Sequence, residues 1–450
     1  MMKFKFRYIV ILLINILIVG GCKKQVEKEE PSNTAFIHNA MGKLTDVMVH
    51  DIFSPPVASR IYAYSSIAAY EALLPHYPNY RSLSGQLNEL DSLPKPEIGQ
   101  EYCFPLASVH AFLAVGRTLT FSGDMIDEFE PVIYQQYKDM GISDDVYDRS
   151  IQYGASVATK ILEWAGKDGY KETRGFRYTV TKDPAKWKPT PPAYMDAVEP
   201  NWYKIRPFVL DTSSQFKPPV ATSFSMEKGS KFYKEVMEVY EATKNLTEEQ
   251  KAIASFWDCN PFVMHQTGHV MYASKKISPG GHWMNIAGVA SKKAKADLMK
   301  TVETYMLVSI SLADGFISCW DEKYRSAVIR PETIINSAID ENWQPLLQTP
   351  PFPEYPSGHS VVSNAAAITL TSVYGDSFSF IDSTETKYGL PSRNFKSFQH
   401  AADEAAISRL YGGIHFKPAI INGSVEGKQV GTLVTTTLKT RNQRISHKNN

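Results

Sequence analysis

A body built almost wholly of α-helices is what this sequence predicts, and three observations predict it. Apolar and small residues recur at three- and four-residue spacing over several stretches of helical length. Strand-like alternation is sparse. The composition, 43% hydrophobic and 21% charged, is that of a chain folding around a buried core. The fold class expected is therefore all-α, as helical bundles, and 450 residues leave room for two or three domains.

The elements follow in order. Lys3, Lys5 and Arg7 precede an apolar run over residues 8–19 that ends in Gly20-Gly21-Cys22. The run is short for a membrane span and fits a secretory signal over residues 1–21. Small residues directly before a cysteine resemble a bacterial lipobox, which implies lipidation of Cys22. Residues 22–35, rich in Lys and Glu, read as the tether of an exported lipoprotein anchored at the periplasm or outer membrane. Cys103, Cys259 and Cys319 remain, without zinc spacing, and read as buried thiols with at most one disulfide among them. No further apolar run approaches a membrane span, so a soluble body on a lipid leash is expected.

An N-terminal helical domain is expected over residues 36–170, with helices near 59–74, 105–120 and 148–166. Residues 171–222, dense in proline and aromatics, read as an irregular but packed connection. A C-terminal catalytic domain follows over 223–440, with helices in 226–257, 295–320, 358–374 and 397–411. Within the first of these Thr247 stands before Glu248, Glu249 and Gln250 as a helix start. Residues 441–450 are a polar tail. A net charge of +1 gives no global field for nucleic acid or an anionic surface, but leaves a local cationic pocket open.

Three blocks of the C-terminal domain carry chemistry. Lys323 is followed by Arg330-Pro331; then comes Pro356-Ser357-Gly358-His359; last is Ser408-Arg409 with His415 six residues after the arginine. Lys323, Arg330 and Arg409 can neutralise a tetrahedral oxyanion, the guanidinium groups with directional and often bidentate hydrogen bonds. The Ser357 hydroxyl and the Gly358 N–H add donors at a helix start, and Gly358 lets the backbone approach the anion without a Cβ. Each residue alone reads as surface charge or structural histidine; ten positions in order and register do not.

Taken together the blocks, K-x6-R-P, P-S-G-H and S-R-x5-H, resemble the signature of the vanadium-dependent haloperoxidase and type 2 phosphatidic acid phosphatase superfamily. The resemblance implies that His415 bonds the central atom, as vanadium ligand in the peroxidases or as nucleophile in the phosphatases. It implies that His359 is the acid–base partner. Upstream, Arg206-Pro207-Phe208 and Gly281-His282-Trp283 look like elements of bacterial haloperoxidase-like proteins. Trp320 and the Pro350–Tyr355 stretch resemble chloroperoxidases of the fungal type, in which aromatic residues line the halide side; Phe352 stands where algal bromoperoxidases tend to have histidine. The reading is an enzyme oxidising halide with hydrogen peroxide at a His415-bound vanadate, vanadium acting as a Lewis acid of fixed oxidation state. The alternatives are a soluble phosphomonoesterase without vanadate, acting on phosphate esters through a phosphohistidine at His415, and a non-catalytic phosphate- or glycan-binding lipoprotein.

One departure stands out. Many members carry an aspartate four residues after the final histidine, where this chain has Ala419. A backbone carbonyl is then expected to orient His415, and Glu404 to support Arg409. His265 and His269 would share one face of a helix, but lack a third metal ligand and the glutamate of the zinc-protease pattern. Nothing requires His400 or Lys417 at the rim of the pocket.

Overall fold

The computed structural model describes residues 30–442. Cys22, the signal segment, most of the tether and most of the polar tail lie outside the described residues. Thirteen helices, numbered here apart from single turns, dominate what is described, with two small two-stranded sheets.

The first layer comprises α1 (Ala35–His50), α2 (Pro55–Leu73), α3 (Phe104–Leu119), α4 (Asp124–Asp139) and α5 (Asp144–Ala165). Ser54 caps α2 by accepting the Val57 N–H at 3.4 Å, and prolines fill its first two positions, where a missing N–H costs nothing. Every residue of α2 is buried. Its alanines and serines let α3 and the central helix approach closely on either side.

Residues 174–222 are irregular, as their prolines predict, and are pinned by buried Trp187, Trp202 and Phe208. The segment is also tied to the core by charge. Asp314 accepts the N–H groups of Phe208, Val209 and Leu210 at 2.7, 2.8 and 3.0 Å, and burial lifts its carboxyl to about 6.

Next come α6 (Lys231–Lys244), α7 (Glu248–Phe256) and the hairpin of β1 (Met264–Thr267) and β2 (Val270–Ala273). Thr247 forms a full capping box with Gln250 at the start of α7. The helical stretch expected over 226–257 is two helices, the second starting at Thr247 as its sequence predicts. His265 and His269 lie on the exposed hairpin and its turn rather than on a helix. Gly268, at φ +61°, makes the turn there.

α8 (Pro279–Lys293) leads to α9 (Leu298–Ser326), the axis of the molecule. All residues from Thr301 to Lys323 are buried. By length and composition α9 could cross a membrane, contrary to the expectation that no such run exists. Its apolar window is wholly covered by protein, so it is the core helix of this body. α10 (Pro331–Ala338), α11 (Gly358–Tyr374), β3 (Phe380–Asp382), β4 (Arg393–Phe395), α12 (Phe398–Tyr411) and α13 (Lys417–Thr437) complete the chain.

α11 packs along α9 on one side and α13 on another. Gly423, Gly427 and Gly431 on α13 make the second contact possible. A Cβ at Gly427 would fall on the Val361 carbonyl oxygen, and one at Gly431 would stand 2.6 Å from that of Ala365. The main core runs without interruption from Phe36 to Leu438, so residues from the 36–170 and 223–440 stretches share it. Past α13 the chain returns to the first layer. The Arg81 N–H donates to the Thr440 carbonyl at 2.8 Å, and the Lys439 N–H to the Gln86 side chain at 2.7 Å. Arg441 pairs with Glu303 at 2.7 Å.

Candidate active site

Four chain segments build the site, each placing its residues by local geometry. The last turn of α9 carries Trp320 and Lys323. Arg330 is the residue before α10, whose start is fixed by Pro331. Ser357 caps α11 by accepting the Ser360 N–H at 3.3 Å, so Gly358 and His359 open that helix with their N–H groups facing out of it. Ser408 and Arg409 end α12, and His415 stands in the short link to α13.

These residues converge. A cavity with an empty volume of about 480 Å³, mouth included, is lined by Trp320, Phe352, Gly358, His359, Arg409 and His415. Lys323, Arg330 and Ser357 form the buried wall behind it. The Arg330 Nη1 lies 3.2 Å from His415 Nε2. Lys323 Nζ donates to the carbonyls of Pro353, Glu354 and Pro356 at 2.9, 3.0 and 2.5 Å, which draws the second block around it. A Cβ on Gly358 would sit 3.5 Å from the Trp320 ring and 3.9 Å from Lys323 Cε, in the hollow these residues enclose. A larger, open cleft bounded by Phe53, Tyr170 and Tyr178 contains none of the candidates. Charge and chemistry, not size, single out the smaller cavity.

The Arg409 Nη2 donates to the Trp257 carbonyl at 2.6 Å, and its Nε to Ser408 Oγ at 3.0 Å. His359 donates to the same Trp257 carbonyl, while its Nε2 is buried without a partner, as is Arg330 Nη2. Contrary to the expectation from sequence, Glu404 does not support Arg409. It binds Arg393 of β4 at 2.7 Å and receives the Trp257 indole N–H at 3.1 Å.

His415 is not oriented by a backbone carbonyl either. Its Nδ1 lies 2.8 Å from Glu354 Oε1, which also accepts the Phe416 N–H at 2.9 Å. Glu354 fills the office left open by Ala419 from the opposite side, since it lies five residues before His359 on a different loop. The Glu354 carboxylate accepts a hydrogen bond from Nδ1–H, which leaves the Nε2 lone pair on the side of Arg330 and the cavity. Sequence reading missed Glu354, although it is the one carboxylate in the second block.

The electrostatics are those of a site short of negative charge. Burial, aided by Arg330, brings the Lys323 ammonium down to about 7; burial brings the Arg330 guanidinium to about 10 and lowers that of Arg409. Burial and the surrounding cations hold both His359 and His415 well below the ordinary imidazole range. Burial also raises Glu354 to about 7 against the pull of Arg330 and Lys323. Three desolvated cations and the unpartnered Arg330 Nη2 donor make an anion the natural complement of this pocket.

Trp320 and Phe352 stand ring to ring at 5.0 Å, with Lys323 Nζ and the Arg330 guanidinium each 5.1 Å from the Phe352 ring. They give the cavity an apolar side facing its polar floor. Lys417 is exposed and paired with Glu238, and His400 is exposed; neither lines the cavity.

Comparison with known proteins agrees with this geometry. A family model described as the second helical-bundle domain of VCPO matches residues 303–444. A crystal structure titled as that of the first bacterial vanadium-dependent iodoperoxidase is 49% identical. The match covers 93% of this chain and 100% of that one, with a TM-score of 0.87. A holo-type bacterial vanadium-dependent chloroperoxidase is 16% identical over 86% of this chain and 93% of its own, TM-score 0.65, and shares the fold. No curated protein matches the chain.

Proposed function

Because this chain belongs to the vanadium-dependent haloperoxidases, we propose that its cationic cavity holds vanadate and that hydrogen peroxide oxidises iodide there. The enzyme is a haloperoxidase; the anion, the halide and the roles of individual residues are the proposal. One observation carries it. A buried donor without a partner, Arg330 Nη2, the unpartnered imidazole nitrogen His359 Nε2, and His415 Nε2 converge on one small cationic cavity.

The residues fit a tetrahedral oxyanion. Lys323, Arg330 and Arg409 would balance its charge, the Ser357 hydroxyl and Gly358 N–H would add donors, and His415 would supply the bond to the metal. Bound vanadate supplies a Lewis-acid centre that activates peroxide for attack by halide without changing its own oxidation state. His359 holds and moves the proton at Nε2: its depressed basicity leaves that nitrogen free to take a proton from entering peroxide and return it to a leaving oxygen. Glu354 fixes the tautomer of His415. Trp320 and Phe352 exclude water from the side on which halide approaches. The 49% identity with an iodoperoxidase favours iodide over the chloride that the Phe352 flank suggests.

Purified protein assayed with and without vanadate tests this. Vanadate-dependent oxidation of iodide should exceed that of bromide and chloride, and His415→Ala should lower it at least ~100-fold. Phe352→His should change the bromide-to-iodide rate ratio. Hydrolysis of phosphate monoesters without halide oxidation would transfer the assignment to the phosphatase reading. The lipobox-like Gly20-Gly21-Cys22 further supports an exported, lipid-anchored protein facing the periplasm or sitting on the outer membrane. Cys22→Ser should move the protein from membrane to soluble fractions; a variant that sediments with membranes as wild type does would refute the anchor.

A further inference from the structure

Behind the wall that carries Arg409 and His359 lies a second constellation of ligand-type side chains. Cys259 Sγ, His282 Nδ1 and Glu385 Oε1 all lie within 4.8 Å of one another and are buried. The separations are 3.3 Å from sulfur to nitrogen, 3.2 Å from nitrogen to oxygen and 4.0 Å from sulfur to oxygen. The three come from separate places: Cys259 follows α7, His282 sits in the first turns of α8, and Glu385 lies in the turn after β3.

We propose that Cys259, His282 and Glu385 bind a divalent transition-metal ion, zinc by the character of the donors. Tetrahedral zinc with one sulfur ligand at ~2.3 Å and nitrogen and oxygen ligands at ~2.0–2.2 Å sets ligand–ligand edges of about 3.4–3.6 Å. Each observed separation lies within about 0.5 Å of that range, so small side-chain rotations complete the site. Thiolate and carboxylate together carry two negative charges, which neutralise the ion in a place that solvent does not reach. A sulfur–nitrogen–oxygen set is unsuited to magnesium or calcium, which take oxygen ligands.

The independent sign is on the far side of the imidazole. His282 Nε2 lies 2.7 Å from Asp382 Oδ2, and the other Asp382 oxygen accepts the Thr384 N–H at 2.9 Å. A carboxylate that takes the Nε2 proton leaves Nδ1 with its lone pair aimed at the cluster, the arrangement that metal-binding histidines show. Cys259 also lines the oxyanion cavity, so the cluster adjoins that site. The His282 ring stacks on Trp257 at 4.6 Å, and the Trp257 carbonyl holds Arg409 and His359. The ion would therefore brace the wall of the oxyanion site from behind.

The competing arrangement is a protonated His282 held between Asp382 and Glu385 with no ion. Full-length protein stripped with a chelator, then equilibrated with zinc and separately with cobalt(II), distinguishes the two. The proposal expects one zinc per chain by elemental analysis. It also expects a thiolate-to-cobalt charge-transfer band in wild type that survives in a Cys103→Ser/Cys319→Ser variant and is lost in Cys259→Ser and His282→Gln. Asp382→Asn should weaken zinc binding ~10–100-fold. Absence of the cobalt–thiolate band in folded wild type overturns the proposal without recourse to any variant. So does metal uptake that Cys259→Ser leaves unchanged.

Discussion

Glu354 shows how a single residue can escape a pattern that captures its neighbours. Lys323, Arg330, Ser357, His359, Arg409 and His415 were legible because their spacing along the chain is fixed by the turns that present them. With Ala419 one helical turn downstream, buried against Ser357 and without a polar side chain, the sequence points to a backbone carbonyl as the partner of His415. The partner comes instead from a loop some sixty residues earlier that Lys323 draws inward through three carbonyls, and a contact between two loops leaves no periodic trace. Glu404 was assigned to the wrong arginine for the same reason: β4 brings Arg393 to it from outside α12. Glu354→Gln keeps the size and one acceptor but removes the charge that holds the Nδ1 proton. Vanadate affinity should fall ~10–100-fold, read from activity titrated with vanadate, while far-UV circular dichroism stays as in wild type. Affinity within twofold of wild type would show that the orientation of His415 has another source.

Helices announce themselves where a capping serine and a following glycine bracket them, as Ser357 and Gly375 bracket α11 and Ser397 and Gly412 bracket α12. The stretch 358–374 coincides with α11, and 397–411 differs from α12 by one residue. α8 went unread because Pro279, Gly280 and Gly281 at its start look like a loop, although Ser278 caps it by accepting the Gly281 N–H at 3.1 Å. The glycines of α13 are equally misleading. In an isolated helix each costs roughly 1 kcal/mol relative to alanine. Here they face α11, where no Cβ fits. Gly427→Ala would set a methyl onto the Val361 carbonyl, and the two helices must separate to admit it. The expected loss is roughly 1–3 kcal/mol despite the better helix former, measured by thermal or urea unfolding. A variant as stable as wild type would mean that the helix pair yields freely there. Because α11 starts at Ser357 and Gly358, the same variant should also weaken vanadate binding.

At the scale of the whole molecule, the sequence shows where helices lie but not how they share a core, because burial of one face does not name its partner. The stretches 36–170 and 223–440 contribute side chains to one continuous apolar interior, with α9 between α2 and α11. Such a body should unfold in a single cooperative transition, with calorimetric and van't Hoff enthalpies in agreement. Two resolved transitions would restore a boundary near 171–222. The clasp by which residues 439–441 return to Arg81, Gln86 and Glu303 gives this unity a direction in time. A polypeptide emerges amino end first, so the earliest helices leave the ribosome long before the residues that fasten them. Until α9 follows, more than two hundred residues after α2, that helix lacks its cover and stays an adhesive surface; the clasp at 439–441 comes later still. The body can therefore close completely only when synthesis is nearly over, because its last described residues fasten its earliest helices.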